Sequence, residues 1–442
     1  MRQLEEHIEQ GEGKRSTQPK QNPIRAVIIG AGHRSMLYAS YSVSHADELE
    51  IVGVVEPDDV RRKMAMDAYR LPPERCYTSI EQMTAGPLIA DVAFNGTMDY
   101  LHVATTLPLL EAGYDVLLEK PIGVSEEEVR ELQAAANRLG RTVMICHELR
   151  FAPFYAEIRK RILEGAIGEI INMQFAENVS YHHIASAYVR GKWNSQKSGG
   201  SSMLMAKCCH DLDLMVWMKA GIRPKHVSSM GGRMFFREEQ KPAGAGTRCL
   251  VDCPLVDSCE YSAKKMYLEL NLWGAYVWHG IEHLGERPTE EQKRESLCTD
   301  NPFGRCVWAS DNDVVDHQAV VVEFADGGTG TFSLNGNTAK PCRRLHLVGT
   351  RGEIEGVLED GFFTLRYPDL SATHGYREEQ VNVDVTDNMH GGGDMRLVTD
   401  FLRVVRGEEP SLSTTTLDDS VYGHFVGFAA DRSRVGGQQV QL

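Results

Sequence analysis

IRAVIIGAGHRS, Ile24 to Ser35, decides how the chain starts to fold. The first six residues are a short, β-branched apolar run, as a strand buried on both faces requires. It runs straight into Gly30 and Gly32. Gly30 permits a tight turn, and Gly32 lets backbone N–H groups approach a pyrophosphate at the next helix's N-terminus. The spacing is that of a dinucleotide loop, G-x-G-x-x-G, with Ser35 in the third glycine's place. His33 and Arg34 fill the loop between and are candidates to line the ligand. Glycine-rich turns that bind nothing are common, so the context has to decide.

The context is consistent with a nucleotide layer. LEIVGVVE forms a second apolar run and ends in Glu56, twenty-six positions beyond Gly30. An acid there meets the adenosine ribose hydroxyls and repels a 2′-phosphate, so NAD is expected rather than NADP. ADVAFNG, a helix from about His102 to Gly113, YDVLLEKP, a helix over SEEEVRELQAAANRL, and RTVMICHE continue the alternation. Repeated β-α-β units predict a parallel, doubly wound α/β sheet over residues 23–150. Ligands of such sheets lie at the carboxyl ends of the strands. Asn95, Thr97, Glu119, Lys120 and His147 fall there and are cofactor-crevice candidates. A lysine just past a strand is often only a solvated loop residue. Pro121 stiffens Lys120, however, so that it can present its ammonium to a substrate hydroxyl, with desolvation lowering its pKa towards that of a base.

Further along, SSMLMAKCCHDLDLMVW (Ser201–Trp217) carries apolar residues at helical spacing yet includes Lys207 and His210. Three positions apart, those two share a helix face and address one small volume. Cys208 and Cys209 point about 100° apart on a helix and cannot readily chelate an ion together with His210. The polar set is therefore catalytic or a satisfied buried cluster, with Asp211 and Asp213 as orienting groups. Upstream, IGEIINMQFAENVSYHH reads as a long strand and IASAYVRGKWNSQKSGGSS as a polar, aromatic-bearing loop. Tyr181, His183, Tyr188, Arg190 and Trp193 are residue types that stack on a sugar or clamp an anion. Downstream, Cys249, Cys253 and Cys259 at C-x3-C-x5-C spacing, with Cys306, read either as a structural zinc site or as plain reduced thiols. Asp326-Gly327-Gly328 marks a hairpin, and HGGGD (His390–Asp394) is a glycine-rich loop ahead of a helix, placed to close over a substrate.

The totals exclude several classes. At 442 residues the chain exceeds one ordinary domain, and 42% hydrophobic with 25% charged residues is a globular composition. A net charge of −15 argues against nucleic acid and acidic membrane surfaces as partners. No apolar run reaches membrane-spanning length. Residues 1–22 lack an apolar signal core and are expected to be a disordered leader. Ten cysteines without a signal peptide point to reduced thiols in a cytoplasm.

GAGHRS after the first strand, Glu56 after the second and EKP (Glu119-Lys120-Pro121) together resemble the Gfo/Idh/MocA oxidoreductase family, from about Pro23 onward. EKP is the specific part. The resemblance implies a Rossmann domain followed, over 151–442, by an α+β domain on a large open, mostly antiparallel sheet, its last helices packing back. It implies NAD(P) and hydride exchange with a secondary hydroxyl of a sugar, glycoside or inositol-like polyol. Lys120 matches the family's proton-handling lysine and His210 its histidine. The Asp usually four positions earlier is replaced by Ala206, with Lys207 next to it, similar to a branch carrying AKxxHDxD. Lys120 and His210 are thus expected on the proton path with Lys207 polarising the same oxygen, and Tyr181, His183, Arg190, Trp193 and Asp211 around the substrate. Two other readings stand beside the dehydrogenase. One is an NAD-dependent oxidoreductive glycosidase, working by transient C3 oxidation, elimination, hydration and re-reduction, on an anionic sugar such as a sulfosugar glycoside. The other is a non-catalytic NAD-binding sensor. A homodimer or homotetramer is expected by resemblance.

Overall fold

β1 (Ile24–Ile29) lies between β2 (Leu49–Val55) and β4 (Val92–Asn95) at the centre of a six-stranded sheet, and every pairing in it is parallel. With β3 (Cys76–Tyr77), β5 (Asp115–Leu118) and β6 (Val143–Ile145) the order is β3-β2-β1-β4-β5-β6. This is the doubly wound layer expected, in a computed structural model that describes residues 22–285, 288–385 and 389–442. The expected leader over 1–22 lies, apart from Asn22, outside the described residues. Alternate residues of β1 feed opposite cores. Val27 and Ile29 join Val103, Leu109 and Leu132, while Ala26 and Ile28 join Phe94 and Leu117. The helices that cover the faces are α1 (His33–Ala39), α2 (Asp59–Tyr69), α3 (His102–Glu111) and α4 (Glu126–Leu139). Gly30 takes a left-handed φ of +77°, as the tight turn requires. Buried Ser35 packs where a third glycine would stand, and a Cβ on Gly96 would meet its hydroxyl at 2.2 Å.

After α5 (Pro153–Leu163) the chain builds a nine-stranded sheet. Its strands are β7 (Ile170–Ser180), β8 (Pro224–Gly232), β9 (His317–Phe324), β10 (Thr329–Thr338), β11 (Cys342–Gly349), β12 (Glu353–Val357), β13 (Phe362–Pro368), β14 (Tyr376–Asn382) and β15 (Val440–Gln441). The order is β14-β13-β12-β11-β7-β10-β9-β8-β15, and only β7–β10 runs parallel. The β9–β10 hairpin turns at Asp326–Gly328, where Gly327 has φ +86°. α6 (Met203–Met218) lies against β7 and β10 and is buried all round except at Lys207. Its N-terminus is capped by Ser202, whose hydroxyl accepts from the Met205 N–H.

α7 (Gly393–Val405) and α8 (Leu417–Gly436) then return to the first sheet. Leu397, Val398 and Phe401 join one of its cores, and Leu417, Val421 and Phe425 the other. The first 150 residues therefore do not close their own faces. Tyr181–His183, read as the end of the strand, form a helical turn, and the segment read as a polar loop instead begins as a wide π-type helix over Ile184–Arg190. Every residue of the latter is buried. Buried backbone needs internal hydrogen bonds, which a helical path supplies and an open loop does not. No described helix is long and apolar enough to cross a membrane.

Candidate active site

Strand β5 is followed by Glu119 and delivers Lys120 into a turn whose Lys120–Pro121 peptide is cis. His102 Nδ1 lies 2.5 Å from the Pro121 carbonyl, and His424 Nε2 accepts from the Ile122 N–H at 2.9 Å. Clamped from both sides, Lys120 reaches across to α6 and its ammonium donates to the Ala206 carbonyl at 2.7 Å. A backbone oxygen thus meets the lysine at the position where the family resemblance would have put a carboxylate. Burial works against the ammonium, but the Cys209 sulfur and the Glu119, Asp99 and Glu148 carboxylates outweigh it and hold the Lys120 pKa above its ordinary value. This corrects the sequence expectation of a lowered lysine pKa, because desolvation was weighed there without the carboxylates. His210 shows the reverse. Burial first, and then the Lys120 charge, keep its imidazole well below the ordinary range and so neutral. The Lys120 ammonium thus meets α6 at the Ala206 carbonyl, four positions before His210 on the same helix.

Around them stands a carboxylate cluster built on Arg34. Its guanidinium donates to Glu119 at 2.9 Å, to Asp394 at 2.5 Å and to Glu148. The buried Tyr38 hydroxyl bridges Glu119 and Glu148. Burial alone would raise all three carboxyl groups. Arg34 reverses that for Glu119 and Asp394, which are held below their ordinary values, but not for Glu148, which stays raised. His390, from the HGGGD loop, places its ring 5.4 Å from that of His210 and its Nδ1 3.2 Å from Asp394. Glu148 stands beside the His147 picked from sequence, and His390 and Asp394 lie within a motif already singled out. What sequence could not show was that they meet.

The loop is seated by close backbone contact. A Cβ on Gly393 would stand 2.1 Å from the Glu148 carbonyl oxygen and 2.9 Å from its carbon. Gly393→Ala is accordingly expected to cost about 1–3 kcal/mol, as overpacking does, measured as a lower urea midpoint with unchanged slope.

Lys207 belongs to a neighbouring ionic network. Its ammonium pairs with Glu177 at 3.2 Å, and Arg343 bridges Glu177 at 2.7 Å and Asp211 at 3.1 Å. Burial pushes the Asp211 carboxyl up to about 6 despite Arg343. Asp211 therefore orients Arg343 rather than His210. His183 stacks on Trp273 at 4.2 Å beside this network, its imidazole kept neutral by burial and then by Lys207. Trp193 donates from Nε1 to Asp99 at 3.3 Å and faces Tyr276, whose ring is 6.2 Å from that of His33.

Several sequence candidates lie elsewhere or act differently. Arg34 spends Nε and one terminal nitrogen on carboxylates, while its other terminal nitrogen, Nη1, has no hydrogen-bond partner. The Glu56 carboxylate accepts from the Ala31 N–H at 2.7 Å and the Asp58 N–H at 2.9 Å, holding the glycine loop from beneath. The Asn95 amide binds Thr97, Thr105 and Thr106, which shapes the turn instead of offering a contact. His147 is buried between the rings of His210 and His424, behind the site. Tyr181 packs edge-on against Tyr261. Arg190 turns inward with its helix and donates to the Arg305 and Tyr261 carbonyls at 2.7 and 2.8 Å, out of reach of a substrate. Cys249, Cys253, Cys259 and Cys306 do line one cavity of about 180 Å³, but Arg190 donates to Cys249 there at 3.6 Å. The four are not among the described groups whose donor atoms gather to metal-binding distance, and every cysteine is free.

Two family descriptions match the chain. One is an oxidoreductase family with an NAD-binding Rossmann fold, over residues 24–147, and the other is that family's C-terminal α/β domain, over 159–442. Among relatives, the chain is 25% identical over 324 residues to YteT of Bacillus subtilis (strain 168), named as an oxidoreductase, covering 70% of this chain and 72% of that one. It is 30% identical over 188 residues to the trans-1,2-dihydrobenzene-1,2-diol dehydrogenase of Bos taurus, covering 42% of this chain and 52% of that one. The chain thus spans about half the length of that dehydrogenase. Its fold is similar to that of the WlbA dehydrogenase of Chromobacterium violaceum, solved with NADH and UDP-GlcNAcA, with a TM-score of 0.62, 16% identity and 96% of each chain covered.

Proposed function

The chain belongs to the Gfo/Idh/MocA oxidoreductase family, and from that premise we propose that it transfers a hydride between NAD and a secondary hydroxyl of a sugar, glycoside or inositol-like polyol. The observation that carries this reading is the hydrogen bond from the Lys120 ammonium, at the carboxyl end of a parallel strand, to the Ala206 carbonyl on the helix that also carries His210. The glycine loop suits a dinucleotide. No side chain caps α1, its first turn holds no acid, and a Cβ on Gly32 would meet only Gly96 O, at 3.9 Å. When bound, NAD supplies the hydride-accepting ring. Lys120, held as an ammonium, donates to the reacting oxygen and carries its proton. His210, held neutral, keeps a lone pair beside that oxygen. Trp193 and His183 are the aromatic groups left to face the substrate.

The WlbA complex supports a sugar-type substrate by analogy of fold alone. An oxidoreductive glycosidase needs a second acid–base pair, and the surplus seen in sequence has thinned: Tyr181 packs against Tyr261 and Lys207 is ion-paired. A net dehydrogenase is therefore the favoured reading. A panel of sugars, polyols and aryl glycosides tests it, with stoichiometric NADH accumulation expected. Aglycone release with catalytic NAD and no net NADH would establish the glycosidase instead.

Glu56 makes the cofactor choice measurable. Its buried carboxylate just past β2 stands where a dinucleotide fold sets the acid beside the adenosine ribose, and like charges so placed cost several kcal/mol. kcat/KM should favour NAD over NADP by roughly 100-fold. The outer face of the second sheet exposes Ile171 (52%), Met230 (82%) and Val321 (47%), which supports a homo-oligomer closing that face. Light scattering coupled to gel filtration should give a multiple of the chain mass of 49.3 kDa.

A further inference from the structure

Glu148, His210 and His390 come from three separate elements: the turn after β6, helix α6 and the glycine-rich loop before α7. Among the described residues they are the one group of at least three His, Cys, Asp or Glu whose donor atoms all lie within 4.8 Å of one another. Glu148 Oε2 is 3.5 Å from His210 Nδ1, yet the two make no hydrogen bond to each other or to anything else. Both residues are almost wholly buried, at 0% and 3% exposed. Orphaned buried polar atoms are rare enough to need a cause, and an absent ion is one of the few that suits a pair aimed at a common point.

The other acceptor atoms of Glu148 and His390 are already engaged, in a way that suits an ion. Glu148 Oε1 accepts from Arg34 and Tyr38, which leaves Oε2 for the cavity. His390 Nδ1 lies 3.2 Å from Asp394, which directs its Nε2 away from that carboxylate. A carboxylate on the far nitrogen of an imidazole is the usual second partner of a metal-bound histidine, fixing tautomer and ring direction. His390 is also held at φ +54°, a left-handed conformation that a non-glycine residue keeps only when its surroundings impose it. Charge permits a cation too. Glu119, Glu148 and Asp394 set three carboxylates against the two cations Arg34 and Lys120.

We infer that Glu148, His210 and His390 form a binding site for one divalent transition-metal ion, with its remaining positions open to adjacent oxygens of the substrate. The inference rests on the oxidoreductase reading above and gives the His210 lone pair to the ion. Two imidazoles and one carboxylate suit zinc or a neighbouring first-row ion; magnesium and calcium prefer all-oxygen sets. Three protein ligands are the number that leaves a site open to exchangeable ligands. The His390 side chain, 22% exposed, marks the side from which they enter. A substrate with two neighbouring hydroxyls, or a hydroxyl beside a carboxylate, would chelate there with one oxygen next to Lys120.

The test uses full-length protein dialysed against a chelator and titrated with Co²⁺, read by visible absorption, and with Zn²⁺, read by calorimetry. One saturable site per chain is expected, with ligand-field bands. Glu148→Gln and His390→Ala should each weaken it at least about tenfold, while the double variant Cys253→Ala/Cys259→Ala leaves it intact. NADH binding, followed by fluorescence, verifies that each variant is folded. Absence of a saturable site, or a site unaffected by His390→Ala, overturns the inference and leaves a proton- or water-bridged Glu148–His210 pair. Failure of the two readings is distinguishable. Metal at this site without turnover of any polyol sinks the substrate reading alone, and turnover unaffected by complete metal removal sinks the ion alone.

Discussion

Lys120→Ala is expected to lower kcat by about 10³-fold, within the usual worth of a positioned proton carrier, with NADH affinity unchanged within about threefold as read by fluorescence titration. The expectation follows from where the ammonium is held. His102 and His424 fix the turn that carries it, and the Ala206 carbonyl fixes its tip. None of these contacts involves the glycine loop, so cofactor binding has no reason to follow the lysine. The raised pKa sets the sign of the pH dependence. Lys120 is charged throughout the neutral range, so ketone reduction, which needs its proton, should stay level there and fall only in strongly alkaline solution. Alcohol oxidation, which must hand that proton away, should rise with pH over the same span. Lys120→Arg separates charge from proton transfer, because a guanidinium keeps the cation but does not deprotonate in proteins. Both directions should remain poor in it. Recovery of near-full activity would mean that the residue acts by charge alone.

Much of the fold was readable because its determinants are local. The apolar run of β1, the left-handed Gly30 and the spacing to Glu56 each state their own conformation, and strand-helix alternation then leaves few topologies. Lys120 was readable for a related reason, because EKP lies at a strand end where ligands of such a sheet sit, whereas His210, on α6, was picked out by helix spacing and family resemblance. Direction was harder. Arg34 sits in the dinucleotide loop by sequence, but its side chain runs under the loop to carboxylates contributed 85, 114 and 360 positions away. Arg190 was misread with its segment, because a loop exposes an arginine and a buried helix turned it inward to the Tyr261 and Arg305 carbonyls. The Lys120 pKa was misjudged on the same ground. Burial is visible in a hydrophobic strand, whereas the carboxylates that oppose it come from β4, β5 and β6 ends that only the fold assembles. Glu56 shows a milder version, at the expected strand end but also tied to the loop backbone.

Arg34→Met should be the most destabilising single change at the site, because it leaves Glu119, Glu148 and Asp394 buried without the cation they share. Breaking a buried ion pair by removing one partner costs about 3–5 kcal/mol, and here one guanidinium serves three carboxylates from the end of β5, the turn after β6 and the start of α7. Urea unfolding at neutral pH measures the loss. Its pH dependence separates electrostatics from packing. Glu119 and Asp394 have depressed carboxyl pKa values in the folded wild type. Their contribution is complete above the ordinary carboxylate range and disappears as pH falls through the depressed values. Glu148 is raised, so its folded form binds the proton more readily, and its contribution weakens as pH climbs above the ordinary value. In the variant, without Arg34, the first two carboxyl groups are no longer depressed and join the third in favouring protonation. Acidification from pH 7 towards pH 5 should therefore relieve the variant at all three carboxyl groups and the wild type at Glu148 alone, and the gap between their unfolding free energies should narrow. A gap that stays constant across that range would mean that Arg34 matters for the volume it fills, and the three carboxylates would then need some other counter-charge.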